Sequence, residues 1–314
     1  MDHVHQFLNS LDALEVTIDG EVRLDDYREI LDKTNKRCRY GTDSQARFVG
    51  SEGSALVPPI PMTFTGTGDR AQVVVVGLNP HYSLKNVPRE KEAALEASWP
   101  DASGRDVRGT WRSYANWYLT SRDGSPPGHL RTALESRYYP VLGHVVASLR
   151  YPMGAGLHVV PDLRNVPKDE QTSTFWREVK DVGVASLEYI PFHSAVTATG
   201  TRPLVRDLYK AYHDALFTVL KTILSPNGYL IANGSAPSEL VSEWLGDSLT
   251  STTKFGSKAK SYVVGAWGCR RVSLLRSPLT SRPGLNGYTS EIGPWLERLR
   301  AVDVSETCVD VGAE

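Results

Sequence analysis

Four consecutive valines, Val73–Val76, are the feature that most constrains the fold of this chain. A short run of β-branched residues without polar alternation is typical of a strand that is covered on both faces, as in a parallel sheet. The run ends at Gly77, and Asn79-Pro80 marks a turn. Because open parallel sheets bind ligands at the carboxyl ends of their strands, the residues from Asn79 to Tyr82 are predicted to form the floor of a site.

Three further apolar segments predict strands that alternate with helices. The strands are Ala185–Ile190, Tyr229–Ala232 and Val272–Leu275, and each leads into a polar or turn-rich loop. Helices are predicted at 88–98, 108–120, 129–149, 172–181, from Pro203 to Leu224, around Leu240–Leu245 and over Ser290–Arg300. This order predicts an α/β fold, namely a three-layer α/β/α sandwich with a short, mainly four-stranded parallel sheet.

The length of 314 residues favours one elaborated domain over two large ones. We therefore predict a single domain over residues 1–314. It carries an N-terminal helical extension over residues 1–50, a helical insertion at about 84–182 and a loose tail over residues 301–314.

Composition excludes several classes of protein. No apolar run approaches the ~18 residues of a membrane span, and the first residues lack the pattern of a secretory signal. The three cysteines, Cys38, Cys269 and Cys308, are odd in number and widely spaced, which favours unpaired thiols and a cytoplasmic location. A phosphate-binding GxxxxGK[ST] loop, a GxSxG elbow and a metal-ligand spacing are all missing, so no cofactor or metal is expected.

Charge is distributed unevenly along the chain. The net charge is −1, but the interval between Asp247 and Glu291 contains seven basic residues and no acidic residue. The basic residues are Lys254, Lys258, Lys260, Arg270, Arg271, Arg276 and Arg282. Such a local excess is typical of a phosphate-binding face in an otherwise acidic protein. The alternative is a solvated surface that happens to lack acids.

The strand ends also carry short motifs. Gly77-Leu78-Asn79-Pro80 has the form Gly-x-(Asp/Asn)-Pro, and the segment after Leu275 contains Ser-Pro-Leu-Thr followed by Gly-x-x-Gly. The second match comprises Ser277, Pro278, Leu279, Thr280 in place of Ser, Gly284 and Gly287. Gly234 with Ala236, and Ser194-Ala195-Val196, follow the other two strands. In order and spacing, over roughly residues 55–300, these motifs resemble the uracil-DNA glycosylase superfamily.

The resemblance implies a DNA glycosylase with DNA as its partner and no obligatory protein partner. Such an enzyme flips its base out of the duplex, because the glycosidic bond is inaccessible in the stack. Leu279 is placed like the family's apolar wedge, with a buried loop anchor as the alternative. The predicted DNA-binding residues are Arg276, Ser277, Pro278, Leu279, Thr280 and Arg282.

The catalytic candidates are Asn79 and His193. Asn79 would orient the attacking water, and a turn residue bonded to backbone is the alternative. A carboxamide is a poor base, so bond cleavage would lead and backbone amides of the 78–82 loop would stabilise the departing base. His193 would contact the base, and a structural histidine is the alternative. The predicted base pocket comprises Gly77, Leu78, Pro80, His81, Tyr82, Ser194 and Asn233.

Two departures from the family pattern bear on the substrate. His81 stands where the family has the tyrosine that excludes thymine, and Leu275 stands where it has a histidine. A pocket without that tyrosine would admit a larger base, so a modified base is expected. Hypermodified cytosine in phage DNA is one source, which adds a role in antiviral defence.

Two other functions remain open at this point. One is a DNA-binding module of the same fold without catalysis, since the motif-one Asp and the motif-two His are both missing. The other is a hydrolase of free nucleosides or nucleotides, which needs neither a wedge nor a basic segment.

Overall fold

The chain divides into two compact units built from interleaved segments. The first unit consists of Met1–Thr63, Leu78–Thr132 and Leu187–Thr222, and the second of Phe64–Gly77, Ala133–Ser186 and Ile223–Glu314. The structure is a computed structural model that describes residues 32–39, 51–52, 55–56, 62–65, 71–78, 142, 145–146, 148–149, 183–190, 207–279 and 289–305. The single domain over residues 1–314 stays a prediction, because no unit corresponds to a continuous stretch of chain.

Within these residues the strands are numbered in chain order. They are β1 (Ser51–Glu52), β2 (Ala55–Leu56), β3 (Met62–Thr65), β4 (Ala71–Gly77), β5 (Val184–Glu188), β6 (Leu224–Asn233), β7 (Leu249–Phe255), β8 (Tyr262–Trp267) and β9 (Arg270–Leu275). The labelled helices are α1 (Lys210–Ile223), α2 (Ser235–Leu245) and α3 (Thr289–Arg300). Two short 3₁₀ helices cover Gly246–Ser248 and Lys258–Lys260. Residues 32–37 and the described residues of 142–149 are also helical.

The main sheet is mixed. Among the described strands its order is β3-β5-β4-β6-β9-β8-β7, and β1 pairs with β2 in a separate two-stranded sheet. β4, β6 and β9 are neighbours that run parallel, whereas β8 and β7 continue the sheet in antiparallel pairs. α2 packs against β6 and β9, and α3 packs against β9 and β8.

The fold is therefore mixed α/β, but the predicted sheet is wrong in size and composition. The prediction of a mainly four-stranded parallel sheet omitted β3, β7 and β8. The observed strand order does not confirm a three-layer sandwich built on four strands. β7 was not predicted, because its sequence, Leu-Thr-Ser-Thr-Thr-Lys-Phe, is polar. Its residues are mostly exposed, as is common for a strand at the edge of a sheet. β8 contains Gly265, a position with no room for a larger residue, because a Cβ there would lie 2.9 Å from the Thr250 carbonyl oxygen of β7.

The valine run forms the buried centre of the sheet. Val73 is 1% exposed and Val74, Val75 and Val76 are 0% exposed, as expected for a strand covered on both faces. The parallel neighbour contributes Leu230, Ile231 and Ala232, which are equally buried. Each valine buried in this way contributes about 1.5–3 kcal/mol relative to leaving it exposed. The burial of these residues fixes β4 and β6 in the sheet, and with them the positions of their carboxyl ends.

The start of β6 differs from the sequence-based expectation. The sequence predicted a helix that ends at Leu224 and a strand that begins at Tyr229, yet β6 begins at Leu224 and includes Ser225-Pro226-Asn227-Gly228. The pairing with β4 shifts between Ala71 and Val73, so the turn-forming residues lie in an irregular stretch of strand. Asn227 has φ 62°, a backbone conformation that asparagine tolerates better than most residues.

α1 begins later than predicted. The helix starts at Lys210 instead of Pro203, and residues 207–209 form a turn. Val302 and Val304, at the beginning of the predicted tail, are buried, and residues 306–314 lie outside the described part of the chain. No helix among the described residues has the length and apolar character needed to cross a membrane.

Candidate functional site at the carboxyl edge of the sheet

Five strands of the second unit bring their ends to one edge. Phe255 of β7 lies opposite Tyr262 of β8, Tyr262 opposite Leu275 of β9, and Leu275 opposite Asn233 of β6. One residue earlier, Val76 of β4 lies opposite Ala232. We call this row, with the loops that leave it, the carboxyl edge. The carboxyl ends of β4, β6 and β9 therefore lie side by side, as the sequence predicted. The β7–β8 connection lies at the same edge, next to the end of β9.

Asn233 connects two of these strand ends. Its side chain is 7% exposed, and its Oδ1 accepts a hydrogen bond from the Leu279 N–H at 2.7 Å. The carboxamide at the end of β6 thereby holds the loop that follows β9. Asn233 was predicted to line a base pocket, and the structure gives its Oδ1 a backbone partner.

Leu279 is fully buried, with 0% of its surface exposed. This position corresponds to the loop-anchor alternative that the sequence left open for it. Burial of a leucine side chain is worth about 1.5–3 kcal/mol, so use of Leu279 as a wedge requires DNA contacts that compensate for its release. The wedge role stays a prediction.

The loop after β9 is also fixed by contacts on its other sides. Ser238 Oγ of α2 donates to the Leu275 carbonyl oxygen at 2.8 Å, and the Arg276 N–H donates to the Ser261 carbonyl oxygen at 3.1 Å. Gly234, with φ 119°, lies under Pro278, whose Cγ would be 3.4 Å from an added Cβ. The backbone of residues 275–279 is therefore held by α2, by the β7–β8 connection and by Asn233.

The basic residues separate into two groups. Lys254, Lys258 and Arg276 are exposed at the carboxyl edge, and Lys260 is half-buried beside them. Arg270 and Arg271 lie at the other end of β9, next to the turn that joins it to β8. The expectation that the described members of this set share one face is therefore wrong. Antiparallel pairing of β8 with β9 reverses the chain and carries the two arginines away.

The two arginines at the opposite edge have structural contacts. Arg270 lies over the Trp267 ring at 4.8 Å, and its Nη2 donates to the Leu224 carbonyl oxygen at 3.3 Å. Arg271 Nε donates to the Arg300 carbonyl oxygen at 3.2 Å. The hydrogen bonds of these two guanidinium groups join β9 to β6 and to the end of α3.

One basic residue of the carboxyl edge was not predicted from the sequence. Arg298 of α3 donates from Nη1 to the Tyr262 hydroxyl at 2.6 Å and lies 4.3 Å from the centre of the Phe255 ring. It follows the acid-free interval in the sequence, so no local signal assigns it to this edge. Only the packing of α3 brings it there.

In the first unit, the end of β5 lies against the residue that precedes Asn79. The Ile190 N–H donates to the Leu78 carbonyl oxygen at 2.8 Å. Next to Ile190, the Tyr189 carbonyl oxygen accepts from His213 Nε2 at 2.9 Å. Because a carbonyl oxygen can only accept, this contact fixes the proton on Nε2 of His213.

His213 belongs to a buried polar cluster. It is 3% exposed, and its ring lies 4.5 Å from that of Tyr189 and 6.0 Å from that of Tyr209. The Tyr209 hydroxyl shares a hydrogen bond of 2.7 Å with Thr34 Oγ1, and burial raises the pKa of Tyr209. This cluster joins α1 and the helical residues 32–37 to the segment that follows β5.

Glu188 is a candidate residue that sequence analysis did not identify. It is the last residue of β5, and although the residue is half-buried its Oε2 is shielded from solvent. Burial raises the pKa of this carboxyl from its ordinary 4.5 to about 8, so it is largely protonated at neutral pH. The available signal was an acidic residue at the end of a mostly apolar strand.

Several predicted site residues lie outside the described part of the chain. They are Asn79, Pro80, His81, Tyr82, His193, Ser194, Thr280 and Arg282. Gly77 is buried at the end of β4 and Leu78 is half-buried directly after it. Of the remaining residues, Ser277 and Pro278 are half-buried in the loop after β9.

The expectation of three unpaired thiols is wrong. Cys269, in the turn between β8 and β9, is disulfide-bonded to a partner beyond the described residues, whereas Cys38 is a free thiol. Wide spacing along a sequence does not exclude proximity in the fold. A disulfide-bonded cysteine does not favour a reducing compartment. Within the described residues, no group of three or more His, Cys, Asp or Glu side chains is arranged to hold a metal ion.

Comparison with known proteins finds no match among family models, curated proteins or solved structures.

Proposed function

We propose that this chain is a DNA glycosylase that hydrolyses the N-glycosidic bond of a flipped base and leaves an abasic site. The observation that carries the proposal is the carboxyl edge, where the ends of β4, β6 and β9 lie side by side next to a lysine-bearing connection. Open α/β sheets bind ligands at such an edge. The motif at Gly77–Pro80 begins at the last residue of β4, and the motif at Ser277–Thr280 follows β9.

The charge of the edge suits a phosphate backbone. Lys254, Lys258 and Arg276 are exposed, and the interval that contains them has no acidic residue. Lysine and arginine contacts to phosphate supply most sequence-independent affinity for DNA. We infer that one strand of the DNA follows the loops of this edge.

The loop after β9 can contact DNA without rearranging its backbone. Its backbone is already bonded to Ser238, Ser261 and Asn233. Preorganised groups lose less conformational entropy when they bind a ligand. We infer that Ser277 and Arg276 contact phosphates next to the flipped nucleotide.

In the reaction that we propose, Asn79 orients the attacking water and bond cleavage leads. The departing base carries negative charge, which backbone amides of the 78–82 loop would stabilise. His193 would contact the base. Leu275, which stands where the resembled family has a histidine, is 1% exposed and offers no polar group to the departing base.

The substrate that we propose is a modified base, with phage hypermodified cytosine as one source and antiviral defence as the role. His81 in place of the barrier tyrosine supports this choice. The test is incubation of the protein with DNA containing uracil, hydroxymethylcytosine or glucosylated hydroxymethylcytosine, followed by detection of alkali-labile abasic sites. We expect cleavage of at least one modified DNA.

Asn79→Ala should abolish this cleavage, and Asn227→Gly, a change in the exposed irregular stretch of β6, should leave it intact. Absence of abasic sites on every DNA of the panel, together with salt-dependent binding, would instead select a DNA-binding module without catalysis. Undiminished cleavage by Asn79→Ala would refute the assigned mechanism.

One observation favours a second candidate, a hydrolase of free nucleosides or nucleotides. Leu279 is buried, and such an enzyme needs no wedge. Charge reversal at Arg276 and Arg282 should leave a nucleoside hydrolase fully active, whereas it should weaken a DNA glycosylase.

A further inference from the structure

Arg298 is an exposed basic residue whose guanidinium is nevertheless held in place. It lies in the last turn of α3. Its Nη1 donates to the Tyr262 hydroxyl at 2.6 Å, and its Cζ lies 4.3 Å from the centre of the Phe255 ring. Tyr262 is 4% exposed, and its ring lies 5.6 Å from that of Phe255. The two aromatic residues therefore fix the position of a positive charge at the surface.

The charge of Arg298 remains available to a ligand. Across the described ranges, from 32–39 to 289–305, no carboxylate forms an ion pair with it. Neighbouring residues of a helix do not face each other, so the adjacent Glu297 does not pair with it. Tyr262 accepts from a single nitrogen, which leaves other N–H donors of the guanidinium for a ligand. The planar fork of these donors matches a phosphate, and a positioned side chain loses less entropy on binding.

The β7–β8 connection brings a second cation to this place. Phe255 and Tyr262, which both contact Arg298, stand at its two ends and lie opposite each other in the sheet. Between them, Lys258 is exposed and has φ 50°. Its carbonyl oxygen accepts from Ser261 Oγ at 2.8 Å and from the Ser261 N–H at 3.2 Å. The backbone of Lys258 is thus fixed in a compact turn between the two residues that hold Arg298.

This pair of cations lies at a distance from the predicted reaction site. β6 and β9 separate the end of β4, which precedes Asn79, from β8 and β7. Neighbouring strands are about 4.8 Å apart, so the separation is about 14–19 Å. Since the phosphates of one DNA strand follow each other about every 3.4 Å along the helix axis, it corresponds to about four to six nucleotides.

We propose that Arg298 and Lys258 form a phosphate subsite that binds the DNA backbone about four to six nucleotides from the flipped base. Phe255 and Tyr262 are the positioning residues of its guanidinium. The subsite rests on the DNA binding proposed above and adds α3 to the DNA surface.

The experiment measures the affinity of the full-length protein for an unmodified DNA duplex by fluorescence anisotropy over a salt series. Arg298→Gln should weaken binding about 10-fold and reduce the slope of log affinity against log salt by about 1, as expected for one lost phosphate contact. Arg298→Lys keeps the charge but loses the planar fork, so it should keep most of the slope and recover part of the affinity. Tyr262→Phe, which removes only the hydroxyl that holds Nη1, should weaken binding less than Arg298→Gln.

Lys221→Gln is the matched control. Lys221 is also exposed, and its Nζ lies 4.9 Å from the centre of the Phe217 ring, but it belongs to α1 in the first unit. The substitution removes the same charge and the same type of ring contact, and should leave affinity and slope unchanged. If Arg298→Gln lowers the melting temperature, Lys258→Gln tests the subsite from an exposed turn, with the same expected loss.

The outcomes separate the subsite from the proposed function. Wild-type slopes in both Arg298→Gln and Lys258→Gln, or an equal loss in Lys221→Gln, would overturn the subsite even if wild type forms abasic sites. A reduced slope specific to Arg298 and Lys258 supports it even if no DNA is cleaved, in which case only the glycosylase function fails. Absence of DNA binding by wild type would overturn both.

Catalysis gives a further check on any DNA that wild type cleaves. Because the subsite is distant from the flipped base, Arg298→Gln should raise the DNA concentration needed for half-maximal rate and leave the rate at saturating DNA unchanged. A large loss of the saturating rate at unchanged affinity would place Arg298 in the reaction site and overturn the subsite.

Discussion

The two ends of β9 show how one type of residue serves two purposes. At the start of the strand, Arg270 and Arg271 are bonded to carbonyl oxygens and, for Arg270, stacked on Trp267. At its end, Arg276 is exposed, and Lys258 is exposed in the neighbouring connection. Basic residues from one acid-free interval thus stabilise the sheet at one edge and are available to an anionic partner at the other. A charge count alone does not distinguish these uses.

The largest expected effect concerns the packed part of the carboxyl edge. Leu279→Ala should lower the free energy of unfolding by about 2–5 kcal/mol, because it leaves a cavity where the side chain is completely buried. Chemical denaturation measures the change. Leu249→Ala, at a half-buried position in β7, should cost less. A small loss of stability combined with a complete loss of base excision would instead show that Leu279 acts as a wedge.

The next effect tests the exposed charges of that edge. Lys258→Glu combined with Arg276→Glu should weaken DNA binding about 100-fold and reduce the slope of log affinity against log salt by about 2, one for each lost phosphate contact. Fluorescence anisotropy over a salt series measures both. The matched control, Lys36→Glu combined with Lys221→Glu, changes two exposed lysines of the first unit. Equal weakening by both pairs would contradict a DNA surface at the carboxyl edge.

A smaller effect is expected from the clamp between β6 and the loop after β9. Asn233→Leu removes the acceptor of the Leu279 N–H and should cost about 1–3 kcal/mol of stability, since a buried donor is left without its partner. Asn233→Asp keeps an acceptor oxygen and should cost less. If the two substitutions are equally destabilising, the hydrogen bond to Leu279 is not what holds the loop.

The smallest effect belongs to the opposite edge. Arg270→Ala removes a hydrogen bond to Leu224 and the contact with Trp267, and should lower the free energy of unfolding by about 1 kcal/mol. DNA affinity measured at the same salt concentration should stay unchanged. A loss of affinity as large as that of the pair at Lys258 and Arg276 would remove the distinction between the two edges.

Sequence patterns located the buried strands of the fold. The four predicted strands overlap with β4, β5, β6 and β9, and the helices around Leu240 and after Ser290 are present as α2 and α3. These elements have strong apolar signals because they are buried. β7 has none, because its side chains are mostly exposed and its pairing depends on the backbone of β8.

The candidate site divides in the same way. The positions of Asn233 and of the Ser277–Leu279 motif at strand ends followed from the sequence, since a strand end is a local feature. The bond between Asn233 and Leu279 and the arrival of Arg298 depend on residues that are distant in sequence. The glycosylase activity and the role of Asn79 stay predictions.

The sequence by itself determined where the buried strands run and where they end, because four adjacent valines require cover on both faces and Asn79-Pro80 requires a turn. Only the tertiary structure decided which basic residues share an edge, which cysteine is paired and which acid becomes buried. The physical reason is that burial, pKa and proximity depend on neighbours brought together by folding. Arg270 and Arg276 are six positions apart in the chain, yet the extended backbone of β9 places them at opposite ends of the strand, among different partners.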